Sequence, residues 1–384
     1  MAFVDPGNPS TLVADLRAAF TSAYGGQPEV VGRAPGRVNL IGEHTDYNRG
    51  LVLPVALPHA TYAAVSRRED DTVRLASTEG SAPWTGTLDS LASAEGWAAY
   101  AAGVLWALRE AGVDVPGVDV MVHGTVPLGA GLSSSAALEC AVAVAACAAA
   151  GVELDRSRVV EACVRAETEI AGAPTGGMDQ TVAMLASPGA ALLIDFDSGS
   201  SADVPLALSG LSLLVTDTRV SHELTDGGYA ARRADCERAA ELLGVPSLRE
   251  VGEAEVEGIA DERVRRRARH VVTEVQRVEA ATDAIRAGDW ERVGVLFAAS
   301  HASMRDDFEI STPELDLAVT TAVEAGALGA RMTGGGFGGS SVALVPTERL
   351  DAVVAAIDTA FAGAGFPAPQ HLLAEPSGRA DLVP

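Results

Sequence analysis

Strand-like runs and helix-period segments are interleaved along this chain without a sustained β-α-β alternation, and that order constrains the fold more than any other feature. A doubly wound parallel sheet requires the alternation, so the pattern predicts an α+β architecture. Helical periodicity covers Ser10–Tyr24, and short strand-like runs follow from Val30 through Thr72–Ser77, punctuated by Gly36, Gly50, Pro54 and Pro58. Helices are expected at Gly96–Ala111, Ser133–Ala150 and Asp155–Ile170, with a strand at Val118–His123. Ala190–Asp195 and Leu211–Thr216 read as buried strands. The polar stretch Asp197–Asp203 between them reads as the boundary of two lobes, residues 1–200 and 201–384. Beyond it, Tyr229–Leu243, Asp261–Ala287, Trp290–Met304 and Pro313–Ala325 read as helices. Strands at Ala327–Met332 and Ser340–Val345 and a helix from Glu348 to Ala362 follow.

Charge narrows the function. The 384 residues include 28 basic and 52 acidic side chains, a formal charge of −24 that disfavours nucleic acid and anionic lipid as partners and leaves small molecules. Every basic residue is Arg, and lysine is absent. The Walker phosphate loop, the protein-kinase site and Schiff-base chemistry all need a lysine and are excluded. The Arg265–Arg267 run lies opposite an apolar stripe, Val264, Ala268, Val271, Val275 and Val278, and reads as a solvated helix face. Cys140, Cys147, Cys163 and Cys236 form no CxxC pair and read as buried thiols in a reducing cytosol. No basic region follows Met1, and the longest apolar run, Ala136–Val152, contains Glu139. A cytoplasmic protein without a membrane span is expected, as a monomer or weak homo-oligomer.

Four segments carry chemistry. Pro127-Leu-Gly-Ala-Gly-Leu-Ser-Ser-Ser-Ala-Ala-Leu-Glu139 joins a strand to a helix through glycines and then three hydroxyls. Unpaired N–H groups and the helix dipole there suit polyphosphate without lysine, and the serines can cap the helix, bind phosphate or ligate Mg²⁺. A tight capped turn is the plainer alternative. Gly129-x-Gly131-x-x-Ser134 is also a near-match to a dinucleotide fingerprint. The run Gly32–Asn48 sets Arg37, Asn39, Glu43, His44, Asp46 and Asn48 within twelve residues, a donor and acceptor set for a neutral sugar or, more plainly, a solvated loop. No HExxH or comparable histidine set for a metal appears. Thr175-Gly-Gly-Met-Asp-Gln180 places Asp179 at a helix start, as a site acid or a helix cap, shortly after Ala166-Glu-Thr-Glu169. Met332-Thr-Gly-Gly-Gly-Phe-Gly-Gly-Ser340 has more glycine than a hairpin needs and allows close approach to a ligand.

Together these segments resemble the GHMP small-molecule kinases, and within them the galactokinase family: Arg37–Asn48 is similar to the sugar signature, PLGAGLSSSAALE to the ATP loop and MTGGGFGGSSVAL to the third motif. The likeness continues through Glu167–Gln180 and Asp217–Cys236. Arg49 stands where the family usually has Gly, Thr175-Gly-Gly replaces Cys-Gly-Ile, and Ala230 follows Tyr229 where Asn or Pro is common. The resemblance implies a two-lobed α+β fold with the site between the lobes, and phosphorylation of the anomeric hydroxyl of α-D-galactose by Mg·ATP. It implies Asp179 as the catalytic carboxylate with Arg37 as its partner, and Glu43, His44, Thr45, Asp46, Gly177 and Tyr229 around the sugar. Gly129, Ala130, Gly131, Leu132, Ser133, Ser134 and Ser135 would cradle ATP, with Ser135 and Glu167 toward Mg²⁺. Trp97 would lie near adenine, and Ser77 is a further nucleotide candidate. Two other readings stay open: a non-catalytic galactose sensor of the same fold, and an NAD-dependent dehydrogenase.

Overall fold

A computed structural model of the chain describes residues 3–220 and 227–384. Its strands are β1 (Val30–Asn39), β2 (Leu51–Val52), β3 (Pro54–Arg67), β4 (Thr72–Ser77), β5 (Trp84–Thr87), β6 (Val118–Gly124), β7 (Ala190–Asp195), β8 (Ser200–Pro205), β9 (Leu211–Asp217), β10 (Gly329–Thr333), β11 (Ser340–Pro346), β12 (Gln370–Leu373) and β13 (Asp381–Val383). The helices are α1 (Pro9–Tyr24), α2 (Trp97–Glu110), α3 (Ser134–Ala149), α4 (Arg156–Arg165), α5 (Met178–Leu185), α6 (Gly228–Leu243), α7 (Glu253–Glu257), α8 (Glu262–Ala287), α9 (Trp290–Asp306), α10 (Pro313–Glu324) and α11 (Leu350–Ala364). The expected helices and buried strands are present with ends shifted by a few residues.

A six-stranded sheet runs in the order β13-β1-β3-β6-β4-β5, with β4 parallel to β6 and its other pairs antiparallel. Strand alternation divides its faces: Val31, Tyr62, Ala64 and Met121 meet α1, whereas Ala34, Ala63, Val65 and Val120 meet the layer containing α2, α3 and α4. The alanine-rich sequence of α3 follows from close packing. A Cβ on Gly32 of β1 would stand 2.4 Å from the Ala141 carbonyl, so only glycine beneath and alanine above let strand and helix touch.

A second sheet, β10-β11-β9-β12, buries Ala330, Ala343 and Val345 against α10 and α11 on one face. Its other face, with Leu213, Val215 and Val342, joins one continuous core containing Val38 and Val55 from the first sheet and Val275 and Val278 of α8. That shared core holds the two sheets together around the glycine loops.

Four expectations differ from the structure, the first in the Arg265–Arg267 run read as a solvated helix face: Arg265 and Arg266 are half-buried, and Arg267 is buried and paired with Asp235 and Glu309. Asp197–Asp203 is largely the hairpin between β7 and β8, with Asp195 Oδ1 accepting from the Asp197 N–H at 2.9 Å. β8 reads as a linker because among its six residues only Val204 is buried. Residues 201–384 do not close on themselves, since β13 pairs with β1 at Val31↔Val383. The helix expected through Ile170 is α-helical only to Arg165. The next turn is π-type, with Ala171 N–H donating to Ala166 C=O at 3.0 Å, and it carries Glu167.

Candidate active site

Arg37 is aimed by a break in pairing. The β1–β3 register shifts between Pro35 and Arg37, and Gly36 lets the strand pass the Leu132 carbonyl, which a Cβ would meet at 2.7 Å. The Arg37 N–H donates to that same carbonyl at 3.1 Å. Its guanidinium donates from Nε to Asp179 Oδ1 and from Nη2 to Oδ2, both at 2.8 Å, and from Nη1 to Gly131 C=O at 2.6 Å. Ser133 Oγ adds a further donor to Asp179 Oδ2 at 2.5 Å. Asp179 lies in the first turn of α5, yet the cap residue there is Gly177, at φ 91°, and every side-chain partner of Asp179 lies on another element. The carboxylate therefore ties β1, α5 and the loop before α3 to one point, which a helix cap would not do.

That loop alternates in facing. Ala130 and Leu132 are buried in the core, whereas Gly129 and Gly131, at φ 74° and 71°, are exposed, and Ser133 is also left-handed at φ 62°. Ser134 and Ser135 are half-buried at the start of α3. The second glycine loop, Thr333–Ser340, seats against it. A Cβ on Gly334 would meet Gly131 C=O at 3.1 Å, one on Gly339 would meet Ala130 C=O at 3.2 Å, and Ser340 Oγ donates to Ala130 C=O at 2.7 Å. Side chains at these positions would separate the loops.

The sugar signature folds into a compact turn on the other side of Arg37. Glu43 is buried and fully engaged: Oε1 accepts from Gly334 N–H at 3.0 Å and Thr333 Oγ1 at 3.2 Å, and Oε2 accepts from Arg331. His44 donates from Nε2 to Gly335 C=O at 3.1 Å, so Nδ1 accepts from Tyr47 Oη at 2.8 Å. Burial, with His270 nearby, pushes its pKa down to about 3, and the ring is neutral. Thr45 is buried, with Oγ1 facing inward to Gly42 C=O and Leu51 C=O. Asp46, half-buried, points at Gly176, where a Cβ would stand 1.9 Å from Oδ2. Burial, and then Asp179, push the Asp46 pKa up to about 6. The same two carboxylates lie near the Tyr229 hydroxyl, whose pKa burial also raises well above its usual value. Asp46 and Tyr229 thus lie within electrostatic reach of Asp179, while the side chains of Glu43, His44 and Thr45 bond within the chain.

Near Asp179, Glu167 lies beside Ser135 and accepts from Gln180 Nε2 at 2.5 Å. Burial and then Asp179 raise its pKa to about 7, the mark of a carboxylate short of positive charge. Gln180 Nε2 also donates to Glu139 Oε2 at 3.0 Å.

Comparison with known proteins gives this arrangement a lineage. Residues 18–67 match the galactokinase galactose-binding signature, 99–187 the GHMP kinases N terminal domain and 281–363 the GHMP kinases C terminal domain. The galactokinase of Streptomyces coelicolor is 50% identical over 371 residues, covering 94% of this chain and 96% of its own. The chain belongs to the galactokinase family. The Bos taurus galactokinase is 43% identical over 94% of this chain and 95% of its own length. The Lactococcus lactis galactokinase, solved with galactose, superposes with a TM-score of 0.93 at 32% identity, over 96% of this chain and 99% of that one. A mevalonate kinase shares the fold at TM-score 0.66 and 15% identity over 92% and 99% of the two chains. Membership of this kinase family makes the protein an enzyme that uses ATP.

Within that galactokinase frame, Trp97 opens α2 with its indole Nε1–H donating to Ala82 C=O at 3.0 Å. Ser77 ends β4, which runs parallel to β6 and so finishes on the edge from which the loop before α3 departs. Both stand apart from the Arg37–Asp179 pair, with no hydrogen bond to it. Of the Asp217–Cys236 match, residues 221–226 lie outside the described residues. Sequence reasoning missed Gln180 and Arg331, although each sits within or beside a segment it singled out. Nothing local separates them from solvent-facing polar residues, because their partners come from distant elements.

Proposed function

We propose that this chain transfers the terminal phosphoryl group of Mg·ATP to the anomeric hydroxyl of α-D-galactose, giving galactose 1-phosphate and ADP. The observation that carries this reading is the Arg37–Asp179 pair, tied through Gly131 and Ser133 to the loop proposed to cradle ATP and bordered by Asp46 and Tyr229 on the sugar side. Asp179 accepts from Arg37 Nε and Nη2 and from Ser133 Oγ, and with 22% of its side chain exposed the carboxylate keeps a lone pair for a ligand. That lone pair orients the sugar hydroxyl and accepts its proton late, because a loose transition state needs alignment and charge neutralisation more than early deprotonation. Arg37 offsets the negative charge between Asp179 and the incoming phosphate. Glu139, Glu167 and Asp179 crowd negative charge beneath the ATP loop, and Ser135 and Glu167 are the pair that would hold Mg²⁺ there. Among the described residues no cluster of three His, Cys, Asp or Glu could hold a metal alone, which suits an ion that takes its other ligands from phosphate and water. Bound Mg²⁺ neutralises phosphate charge. Four buried free cysteines support a reducing, cytoplasmic setting for an enzyme that works as a monomer or weak homo-oligomer.

A sugar panel scored by Mg-dependent ADP release tests the assignment. Galactose should give the highest kcat/KM. Glucose, its C4 epimer, should fall ~10- to 10²-fold lower, because a misplaced hydroxyl leaves a polar group unpaired at about 1–3 kcal/mol. Equal turnover of glucose, or release only with mevalonate or homoserine, overturns it; no ADP release with any sugar favours the sensor reading. Ser135→Ala should raise the Mg²⁺ and ATP requirements while galactose binding without nucleotide stays within about twofold of wild type. Unchanged ATP kinetics and Mg²⁺ dependence in that variant would remove Ser135 from the site.

A further inference from the structure

The second glycine loop contains one residue that glycine would replace without strain. Phe337 sits at φ 62° between Gly336 and Gly338, in a run where five of the six residues are already glycine. A bulky side chain in the left-handed region is an outlier that persists only when its surroundings fix it. They do so here. The ring occupies the space a Cβ would need at Gly228, the first residue of α6, with ring carbons 2.8 Å from that position. The Arg232 guanidinium lies 5.3 Å from the ring centroid and is itself held by donation to Phe308 C=O at 2.6 Å and Glu309 C=O at 2.7 Å. The Phe337 N–H donates to Ile310 C=O at 2.7 Å. The next residue after Gly228 is Tyr229, whose ring is 5.1 Å from His44 and 5.6 Å from Tyr47 and lies over Gly335.

We propose that Phe337 is a positioning residue for the sugar side of the site: packed into the space left open by Gly228, it fixes the start of α6 and so the place of Tyr229. This rests on the reading of Tyr229 as a sugar contact. Gly228 carries no left-handed φ, so a methyl there meets no backbone penalty and favours the helix. The three atoms nearest to such a methyl among the described residues are all carbons of the Phe337 ring. The strained backbone and the missing side chain at Gly228 are two halves of one contact.

The test is a double-mutant cycle read by galactose KM, ATP KM and the galactose-induced shift in melting temperature without nucleotide. Gly228→Ala and Phe337→Ala should each raise galactose KM about tenfold and shrink the galactose-induced shift, with ATP KM changed less than twofold. The double variant should be no worse than either single one, because the added methyl enters space the ring has left. Multiplying effects, about a hundredfold in the double variant, would make the two sites independent and overturn the proposal. So would an unchanged galactose KM in either single variant, or an equal rise in ATP KM, which marks a general loss of structure. Tyr229→Ala separates the underlying reading: an unchanged galactose KM there removes Tyr229 from the sugar site. A raised KM there alongside a silent Gly228→Ala sinks the Phe337 proposal alone.

Discussion

Asp179→Asn is expected to lower kcat at least ~10²–10³-fold, roughly 3–4 kcal/mol of transition-state stabilisation, while ATP KM stays within about twofold. Asparagine keeps the shape and one carbonyl oxygen, so Ser133 and one arm of Arg37 retain an acceptor. What disappears is the charge opposite a buried guanidinium and, on the proposed reading, the group that accepts the hydroxyl proton. The pair is partly open to solvent on the Asp179 side, with 22% side-chain exposure against 7% for Arg37, so relaxation by water limits the stability cost to about 1 kcal/mol. Steady-state kinetics beside thermal unfolding separate the two effects. A folded variant keeping a tenth of wild-type turnover would remove Asp179 from the chemistry, and one that simply unfolds would return it to a structural role.

Arg331→Met should produce the largest loss of stability, about 3–5 kcal/mol, read as a fall in the denaturant midpoint. Arg331 is completely buried, pairs with both Glu43 and Glu274, and donates to Leu40 C=O at 2.8 Å. Methionine fills similar space but leaves Glu43 without its guanidinium and Glu274 with Arg277 as its remaining ion-pair partner among the described residues. The acid limb should move as well. Burial pushes the Glu274 carboxyl up, but Arg277, Arg331 and His270 hold it down to about 2. A folded-state pKa below the unfolded value contributes stability at neutral pH that is lost as pH falls from about 4.5 toward 2. Without Arg331 that loss should begin at higher pH. Arg331→Lys should rescue little, since one ammonium cannot reproduce the planar fork that reaches two carboxylates and a carbonyl. A midpoint change worth under about 1 kcal/mol with an unmoved acid limb would show the cluster to be dispensable.

Local periodicity made most elements legible, because an amphipathic helix such as α8 or a buried strand such as β9 displays its partner's side in its own spacing. It failed where tertiary contact overrides local signal. β8 is polar because the hairpin exposes it, and β13 is three residues whose strand character exists only through pairing with β1. The π-turn at Ala166–Ile170 is likewise invisible, since it shifts one hydrogen bond without changing the residues that make it.

The sequence by itself determined the chemistry available to this protein: no lysine, a glycine-serine loop opening a helix, a dense polar run after Gly36, and an aspartate after a glycine pair. Those are properties of residue types at short spacing, where the backbone alone limits what can face what. Tertiary structure decided which groups do what. It brought Arg37 to Asp179 across 142 positions and buried Glu43 against Arg331 across 288. It also used both ring nitrogens of His44 within the chain, turned Thr45 inward, and brought Asp46 and Tyr229 within electrostatic reach of the aspartate. Hydrogen-bond partners at such separations are set by how sheets and helices pack, and no local pattern in the chain records them.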